Sequence, residues 1–276
     1  MVRVTTTDRR TALRAGTGLL AGSALAAGCS TTGAVAHPTP ATHPTPATHP
    51  TPATHPTPAT HPPTSRTAAP GPRRFPAQPA QVTHGPRTHP RVALTFHGQG
   101  DPALARALLD EAERHGARVT VLAVGTWLDE HPDLARRVLD GGHDLGNHTL
   151  RHLDVNAMPE AEAEAEITGC ADRLRQLTGS VGTWFRPSRA PRASPLVERL
   201  AHRAGYPHVL SYDVDSLDFT SPGATAVTRK VLGEIRNGSV VSLHLGYPDT
   251  IAALPAVLEE LDHRGLSAVT TTELLS

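Results

Sequence analysis

Two histidines spaced four residues apart, His148 and His152, are the side chains in this sequence best suited to binding a metal ion. On a helical turn, residues at i and i+4 lie on one face, and both imidazoles can then bind one cation. The sequence contains 17 histidines, so this spacing also arises by chance, and two solvated histidines at the start of a helix are the alternative interpretation. Residues 141–146 favour the metal site, because they are typical of a strand and turn that would carry the pair to the end of a sheet.

Alternating strands and helices are predicted to position these histidines. Apolar, β-branched runs indicate buried strands, and apolar residues at helical spacing, begun by Pro or Asp and ended by Gly, indicate helices. Because such alternation produces a parallel sheet, open or closed into a barrel, chemistry-bearing residues are expected at the carboxyl ends of the strands. The predicted strands are 91–96, 119–124, 184–185, 209–214, 240–245 and 268–270, and the predicted helices are 102–115, 132–140 and 159–178.

Five short motifs follow one another along this part of the chain: Leu94-Thr95-Phe96, His148-Thr149-x-x-His152, Phe185-Arg186-Pro187, Asp215-Ser216-Leu217-Asp218-Phe219 and Ser242-Leu243-His244. In order and spacing they resemble the motifs of the polysaccharide deacetylases, also called carbohydrate esterase family 4 or NodB-homology domains. The resemblance covers essentially all of residues 91–276 and implies an α/β fold, a distorted (β/α) barrel. It also implies a divalent metal, usually zinc, and removal of N- or O-acetyl groups from a glycan such as peptidoglycan or a chitin-like polymer.

The resemblance implies a role for each polar residue of these motifs. His148 and His152 match the two metal-binding histidines of the family. His244 matches its general acid, which protonates the leaving amine or alcohol, and Asp218 matches the carboxylate that orients that histidine. Asp215 is the local alternative to Asp218.

The first motif departs from the family pattern, Thr-Phe-Asp-Asp-Gly, in which the first Asp is the catalytic base and the second is a metal ligand. Here His97 and Gly98 occupy those two positions, so both carboxylates are absent. Three alternatives are open: His97 is the base, His97 is a third imidazole ligand, or Asp101 reaches back to the ion. Asp101 equally matches a helix cap before a proline. Arg186 matches the arginine that orients the base.

Two further departures concern glycan binding. Arg189 stands where the family has the Tyr of Arg-Pro-Pro-Tyr-Gly, and Phe219 replaces the Trp that walls the substrate groove. Both residues are predicted to contact substrate. With only nine aromatic residues in the chain, stacking surface for sugar rings is reduced, which predicts weaker or altered glycan recognition.

Two functions are open at this stage. The first is a metal-dependent deacetylase, a hydrolase of carbon–nitrogen bonds other than peptide bonds, and zinc is the expected metal. Retention of Arg186, Asp218 and His244 favours it, because a decaying enzyme would lose these residues as readily as its base. The second is a catalytically inactive domain that binds envelope glycan or metal without turnover. Loss of both carboxylates of the first motif favours that alternative.

The first 90 residues are predicted to export and tether the domain. Residues 1–33 combine the twin-arginine pair Arg9-Arg10, a short apolar run and Leu25–Cys29, which resembles a lipobox. Lipidation of Cys29 would anchor the protein to the outer face of the cytoplasmic membrane, in the cell envelope; an ordinary export signal that contains Cys29 is the alternative. Residues 34–90, rich in Pro, Thr and His, are predicted to form a disordered linker. Its repeated histidines would lie about 19 Å apart in polyproline II, too far apart to share a metal ion.

Composition excludes other classes of function. The 26 basic and 26 acidic residues balance, which argues against a nucleic-acid-binding protein. No apolar run reaches the roughly 18–20 residues of a transmembrane helix. Cys29 and Cys170 are the only cysteines, so the core holds together without a disulfide framework, and Cys170 is expected to be a buried apolar residue. Residues 91–276 then form one domain, expected to act as a monomer on a glycan.

Overall fold

The computed structural model describes residues 68–276. The predicted signal segment 1–33, with Cys29, and residues 34–67 of the predicted linker lie outside the described residues. The strands are β1 (Gln81–Val82), β2 (Arg91–Gly98), β3 (Thr120–Ala123), β4 (Asp144–Asn147), β5 (Val209–Leu210), β6 (Val214–Asp215), β7 (Val240–His244) and β8 (Ser267–Ala268). The helices are α1 (Pro102–Arg114), α2 (Gly125–Glu130), α3 (Pro132–Asp140), α4 (Glu160–Thr178), α5 (Pro195–Arg203), α6 (Ala224–Glu234), α7 (Pro248–His263) and α8 (Thr271–Leu274). None of the helices within residues 68–276 is both long enough and apolar enough to cross a membrane.

The strands pair in parallel, as the alternation of strands and helices predicts. Their order is β4-β3-β2-β7-β6, β8 pairs with the start of β2, and β1 pairs with β5. Phe185 forms isolated parallel bridges to Asn147 at the end of β4 and to Val209 in β5, which continues the sheet around toward a barrel. Side chains of α1, α3 and α7 pack on the outer face of the sheet in the largest apolar cluster. The predicted α/β fold, a distorted (β/α) barrel, is confirmed.

The two faces of strand β2 differ: the outer face is apolar, and the inner face carries His97. Leu94 and Phe96 belong to the outer cluster with the helices, whereas Ala93 belongs to a second cluster on the other side of the strand. Since side chains alternate along a strand, His97 shares the inner face with Ala93. The register of β2 with β7 sets His97 opposite His244. Two imidazoles that are distant in sequence therefore lie side by side.

Most predicted elements agree with the structure, including the short last strand, which was predicted at 268–270 and is found at Ser267–Ala268. Two short predicted strands do not agree. β2, β3, β7, α1, α3 and α4 begin and end within two residues of their predicted bounds. The predicted strand 209–214 is instead two separate strands, β5 and β6, and 184–185 contributes only the bridges of Phe185. Helices α2, α5, α6, α7 and α8 were not predicted. Helix α7 contains Pro255 in its interior, where proline normally ends a helix.

The helical turn predicted for His148 and His152 is wrong. Residues 148–152 contain no helix, and both Thr149 and His152 adopt left-handed backbone angles, with φ of 68° and 58°. The carbonyls of Thr149 and Leu150 accept the amides of Gly125 and Thr126 at the start of α2, at 3.0 and 2.9 Å. Because these carbonyls cap a neighbouring helix, they are not available for hydrogen bonds of a helix of their own.

The domain begins earlier than residue 91. Residues 68–90, which the proline content assigned to the linker, pack against the sheet: the Phe75 ring is buried and stacks on Trp184 at 5.6 Å between centroids. The Phe75 amide donates to His208 Nε2 at 2.9 Å, and β1 pairs with β5. Phe75 and Val82 are the buried hydrophobic residues of this segment. Two such residues hardly change a composition dominated by proline.

Replacing Phe75 with alanine should lower the free energy of unfolding by about 3 kcal/mol, since a buried ring is lost and a cavity is left. Chemical denaturation of the full chain measures the effect. Arg74→Ala is the matched control, because the Arg74 side chain is exposed, and it should change stability by less than about 0.5 kcal/mol. Equal stability of the Phe75 variant and the unchanged protein would show that the segment is not part of the domain.

Candidate metal centre and active site

Three histidines from separate parts of the chain converge at the carboxyl ends of the strands. His97 ends the inner face of β2, His148 follows β4, and His152 lies in the loop after it. One ring nitrogen from each lies within 4.8 Å of the others. His97 Nδ1 is 2.7 Å from His148 Nε2, and the rings of His148 and His152 are 4.9 Å apart between centroids. We call His97, His148 and His152 the three-histidine cluster.

Hydrogen bonds fix the orientation of two of these rings. His148 Nδ1 donates to the backbone carbonyl of Arg186 at 3.0 Å, which leaves Nε2 as the nitrogen with a lone pair. His97 Nε2 lies 3.0 Å from Ser242 Oγ, so its Nδ1 is the atom that faces the cluster. Outer hydrogen bonds of this kind commonly orient metal-binding histidines.

The cluster is suited to a metal ion because its imidazoles are held neutral. Burial, followed by the nearby charge of His148, holds the pKa of His97 well below its usual value. Burial and His152 do the same to the pKa of His148, and burial and Arg189 lower the pKa of His152. Neutral imidazole is the form that binds metal, and three histidines are a ligand set used by catalytic zinc.

The other candidate ligands of the first motif are not part of the cluster. Asp101 is the N-cap of α1, where its exposed side chain accepts the Ala103 amide at 2.8 Å. Strand β2 continues through Gly98, which pairs with Ala123 of β3. A Cβ atom at position 98 would lie 2.9 Å from the Ala123 Cα atom, so this backbone has no room for a ligand side chain there. Only His97 offers a third nitrogen from this motif.

His244, which is partly buried, and the fully buried Asp218 form a pair beside the cluster. His244 Nδ1 donates to Asp218 Oδ1 at 2.7 Å, while Asp218 Oδ2 accepts the His244 amide at 2.8 Å and the Thr250 hydroxyl at 2.6 Å. Burial opposes ionisation of Asp218, but the hydrogen bonds from His244 and Thr250 outweigh it and hold the pKa of this carboxyl below its usual value. The His244 ring stacks on the His97 ring at 4.2 Å between centroids. Asp215, the alternative to Asp218, accepts the Leu217 amide instead.

Arg186 is fully buried but does not contact His97 through a hydrogen bond. Its Nε and Nη2 donate to the backbone carbonyls of Leu210 and Ser211 at 3.3 and 2.9 Å, and its guanidinium lies over the Tyr212 ring. Its Nη1 has no hydrogen-bond partner among the described residues. Burial lowers the pKa of Arg186 to about 10. A buried donor without a hydrogen-bond partner on a cation is costly.

Backbone strain concentrates around this site. Left-handed backbone angles are uncommon outside glycine, and they persist where the surrounding structure enforces them. Within residues 68–276 the non-glycine residues with such angles are Thr149, His152, Arg189, Leu217 and Ser221. They lie in the loops that contain the His148–His152 segment, Arg189 and Asp218.

A cavity of about 840 Å³ opens above His97 and His244. Arg189 and Phe219, the two predicted substrate contacts, line it, and Phe219 is 45% exposed. Four further residues with polar side chains line the cavity that were not predicted as site residues; three of them belong to none of the five motifs, and Ser242 belongs to the fifth motif but was given no role. These residues are Gln99, Tyr212, Ser242 and Tyr247.

A family profile described as polysaccharide deacetylase matches residues 84–209. The peptidoglycan-N-acetylglucosamine deacetylase of Bacillus cereus is 31% identical over 194 residues, which cover 69% of this chain and 90% of that protein. The chain belongs to the polysaccharide deacetylase family. Deacetylases of this kind are hydrolases of carbon–nitrogen bonds other than peptide bonds, and they are metal-dependent.

Further relatives and solved structures are similar to this member of the polysaccharide deacetylase family. A chitooligosaccharide deacetylase of Sinorhizobium fredii is 29% identical over 191 residues, covering 64% of this chain and 87% of that protein. A solved peptidoglycan N-acetylglucosamine deacetylase superposes with a TM-score of 0.66 at 25% identity over 71% of this chain and 92% of its own. A carbohydrate esterase family 4 pseudoenzyme from Bacillus anthracis has the same fold, with a TM-score of 0.68 at 22% identity over 72% of this chain and 70% of its own.

Gly98→Ala should lower the free energy of unfolding by roughly 1–3 kcal/mol, because the added methyl group meets the backbone of β3. Gly233→Ala is the control: nothing lies within 4 Å of a Cβ atom there, and the residue is in α6. That substitution should be neutral or stabilise by about 0.4–1 kcal/mol. Thermal unfolding of both variants compares them, and a Gly98 variant as stable as the Gly233 variant would contradict the steric account.

Proposed function

We propose that this protein is a metal-dependent deacetylase that removes acetyl groups from a cell-wall or chitin-like glycan. The observation that carries the proposal is the placement of the three-histidine cluster beside the hydrogen-bonded pair of His244 and Asp218. In this proposal His97 takes the place of the missing carboxylate ligand, and His148 and His152 are the other two ligands. The identities of its named relatives support the glycan as substrate.

A divalent ion held by these histidines, with zinc as the expected metal, would supply an activated water and a Lewis acid for the acetyl carbonyl. His97 is not free to act as the base, because its two ring nitrogens face His148 and Ser242. His244 Nδ1 is held by Asp218, and its Nε2 has no hydrogen-bond partner among the described residues. We therefore assign both proton transfers to His244 Nε2, which takes a proton from water and returns it to the leaving nitrogen.

Asp218 is a positioning residue for His244. As an ionised acceptor at Nδ1 it fixes the tautomer that presents Nε2 to the cavity, and it stabilises the imidazolium that forms when Nε2 takes a proton. Its second oxygen is engaged by the His244 amide and the Thr250 hydroxyl, so the carboxylate cannot rotate away from the ring.

His97→Ala should abolish stoichiometric zinc binding, because it removes one of three ligand nitrogens. Metal analysis after dialysis at a fixed free zinc concentration measures this directly. His244→Gln is the control and should retain zinc, since His244 lies outside the three-histidine cluster. Full zinc occupancy in the His97 variant would overturn the proposed third ligand.

His244→Gln and Asp218→Asn should each lower kcat for acetate release by at least about 100-fold, because proton transfer in the transition state is lost or misdirected. Acetate release from N-acetylated chitooligosaccharides and peptidoglycan is the readout. Asp215→Asn is the matched control for Asp218, since Asp215 carries the same charge three residues away and binds the Leu217 amide instead of His244. An Asp215 variant as impaired as the Asp218 variant would contradict the assigned pair.

A catalytically inactive domain that binds envelope glycan is the second candidate. The absence of both carboxylates of the first motif favours it, as does the orphaned Nη1 atom of Arg186. Zinc binding without acetate release from any acetylated glycan would establish it. Export and lipid anchoring at Cys29, with a monomeric domain in the cell envelope, stay predictions.

A further inference from the structure

His152 is held differently from the other two members of the three-histidine cluster. The rings of His97 and His148 each have an outer hydrogen-bond partner, the Ser242 hydroxyl and the Arg186 carbonyl. The hydrogen bonds of His152 within residues 68–276 are all made by its main chain, which has a left-handed φ of 58°. Since no outer hydrogen bond orients this imidazole, the position of its ligand nitrogen depends on the main chain that carries it.

Glu166 is a buried carboxylate that the proposed mechanism does not use. It lies on α4, where its Oε2 accepts the main-chain amide of Arg151 at 2.8 Å and its Oε1 accepts Arg151 Nε at 2.6 Å. The Glu166 side chain is fully buried, whereas the Arg151 side chain is exposed. A carboxylate is costly to bury unless hydrogen bonds satisfy it, and here one of those bonds fixes the main chain directly before His152.

A chain of hydroxyl groups holds the other side of the same loop. The His152 amide donates to Thr149 Oγ1 at 3.2 Å, Thr149 Oγ1 donates to Ser188 Oγ at 3.0 Å, and Ser188 Oγ donates to the Leu153 carbonyl. Each hydroxyl accepts one hydrogen bond and donates its single proton to the next, so the chain closes around His152. Ser188 is fully buried, and it stands where the pattern Arg-Pro-Pro-Tyr-Gly has its second proline, which has no hydroxyl.

We propose that Glu166 and Ser188 are positioning residues for His152: they fix the main chain of residues 151–153 so that its imidazole completes the three-histidine cluster. The inference rests on the proposed metal site and names two residues that act on it without touching the ion. Left-handed angles at Thr149 and His152 persist only where the surrounding structure enforces them. Loss of either hold therefore releases the loop from this conformation and removes one ligand from the ion.

Zinc affinity of the full chain, measured by competition with a chromophoric chelator, tests the inference. Glu166→Leu keeps a side chain of similar size but removes both acceptor oxygens, and it should weaken zinc binding about tenfold or more. Ser188→Ala removes the hydroxyl on the other side of the loop and should weaken zinc binding by a similar factor. Unchanged zinc affinity in either variant would overturn the inference.

Two further variants at α4 show whether the hydrogen bond to the main chain is responsible. Glu166→Gln keeps one acceptor oxygen for the Arg151 amide and should retain zinc affinity within about threefold of the unchanged chain. Glu162→Leu is the matched control, because Glu162 is exposed on the same helix, and it should leave zinc affinity unchanged. A Gln variant or a Glu162 variant as weak as Glu166→Leu would contradict positioning through the main chain.

A double-mutant cycle with His152→Ala separates positioning from a general effect on the fold. Once the ligand is removed, Glu166→Leu and Ser188→Ala have nothing left to position, and each should lower the residual zinc affinity by less than about twofold. The same loss of zinc affinity with and without His152 would mean that these substitutions weaken the domain as a whole, and the inference would fail.

Amide hydrogen exchange of the metal-free full chain separates this inference from the proposed function. If the unchanged chain binds no zinc, the proposed function fails, and exchange then decides the inference by itself. The Arg151 and His152 amides should exchange about tenfold or more faster in Glu166→Leu, whereas the Phe96 amide in β2 should be unaffected. Equal exchange of residues 151 and 152 in the variant and the unchanged chain would show that Glu166 does not hold this loop.

Discussion

The parallel register between β2 and β7 is the constraint on which the site depends. It sets His97 opposite His244 on the inner face, so that their rings stack at 4.2 Å. A shift of one residue would turn either imidazole toward the outer apolar cluster, since side chains alternate along a strand. The register is held on both strands by buried residues such as Phe96 and Val241, whose burial fixes which face points inward.

In the proposed site, the metal-ligand and base roles belong to different residues from those of the family pattern. Where the family uses two carboxylates, one as base and one as ligand, this chain offers a single imidazole, His97, with both nitrogens engaged. In the proposed site His97 fills one ligand position, and the base is left without a successor in the first motif. The pair of His244 and Asp218 is the remaining group that can move protons, and Arg186 is left with an unpaired nitrogen.

Structural features that depend on strong local sequence patterns could be predicted from the sequence. Long apolar strands and capped helices follow from residue type and spacing. The members of the site were predicted from the resemblance of the five motifs to those of polysaccharide deacetylases, with His97 as a base or a third ligand. The choice between these depended on contacts across the sheet, from His97 to His148 and Ser242. The loop of His148 and His152 is not helical because α2 binds its carbonyls, an interaction between distant segments. The anchoring of Phe75 was concealed by a proline-rich composition.

The central claim is that three imidazoles, including that of His97, bind the metal ion. X-ray absorption at the zinc edge of the zinc-loaded full chain tests it most directly, because it counts imidazole ligands and distinguishes them from carboxylate oxygen. The account predicts three imidazole nitrogens. A spectrum with two imidazoles and a protein carboxylate would contradict it, since it would place Asp101 or another acid at the ion and free His97 for a different role.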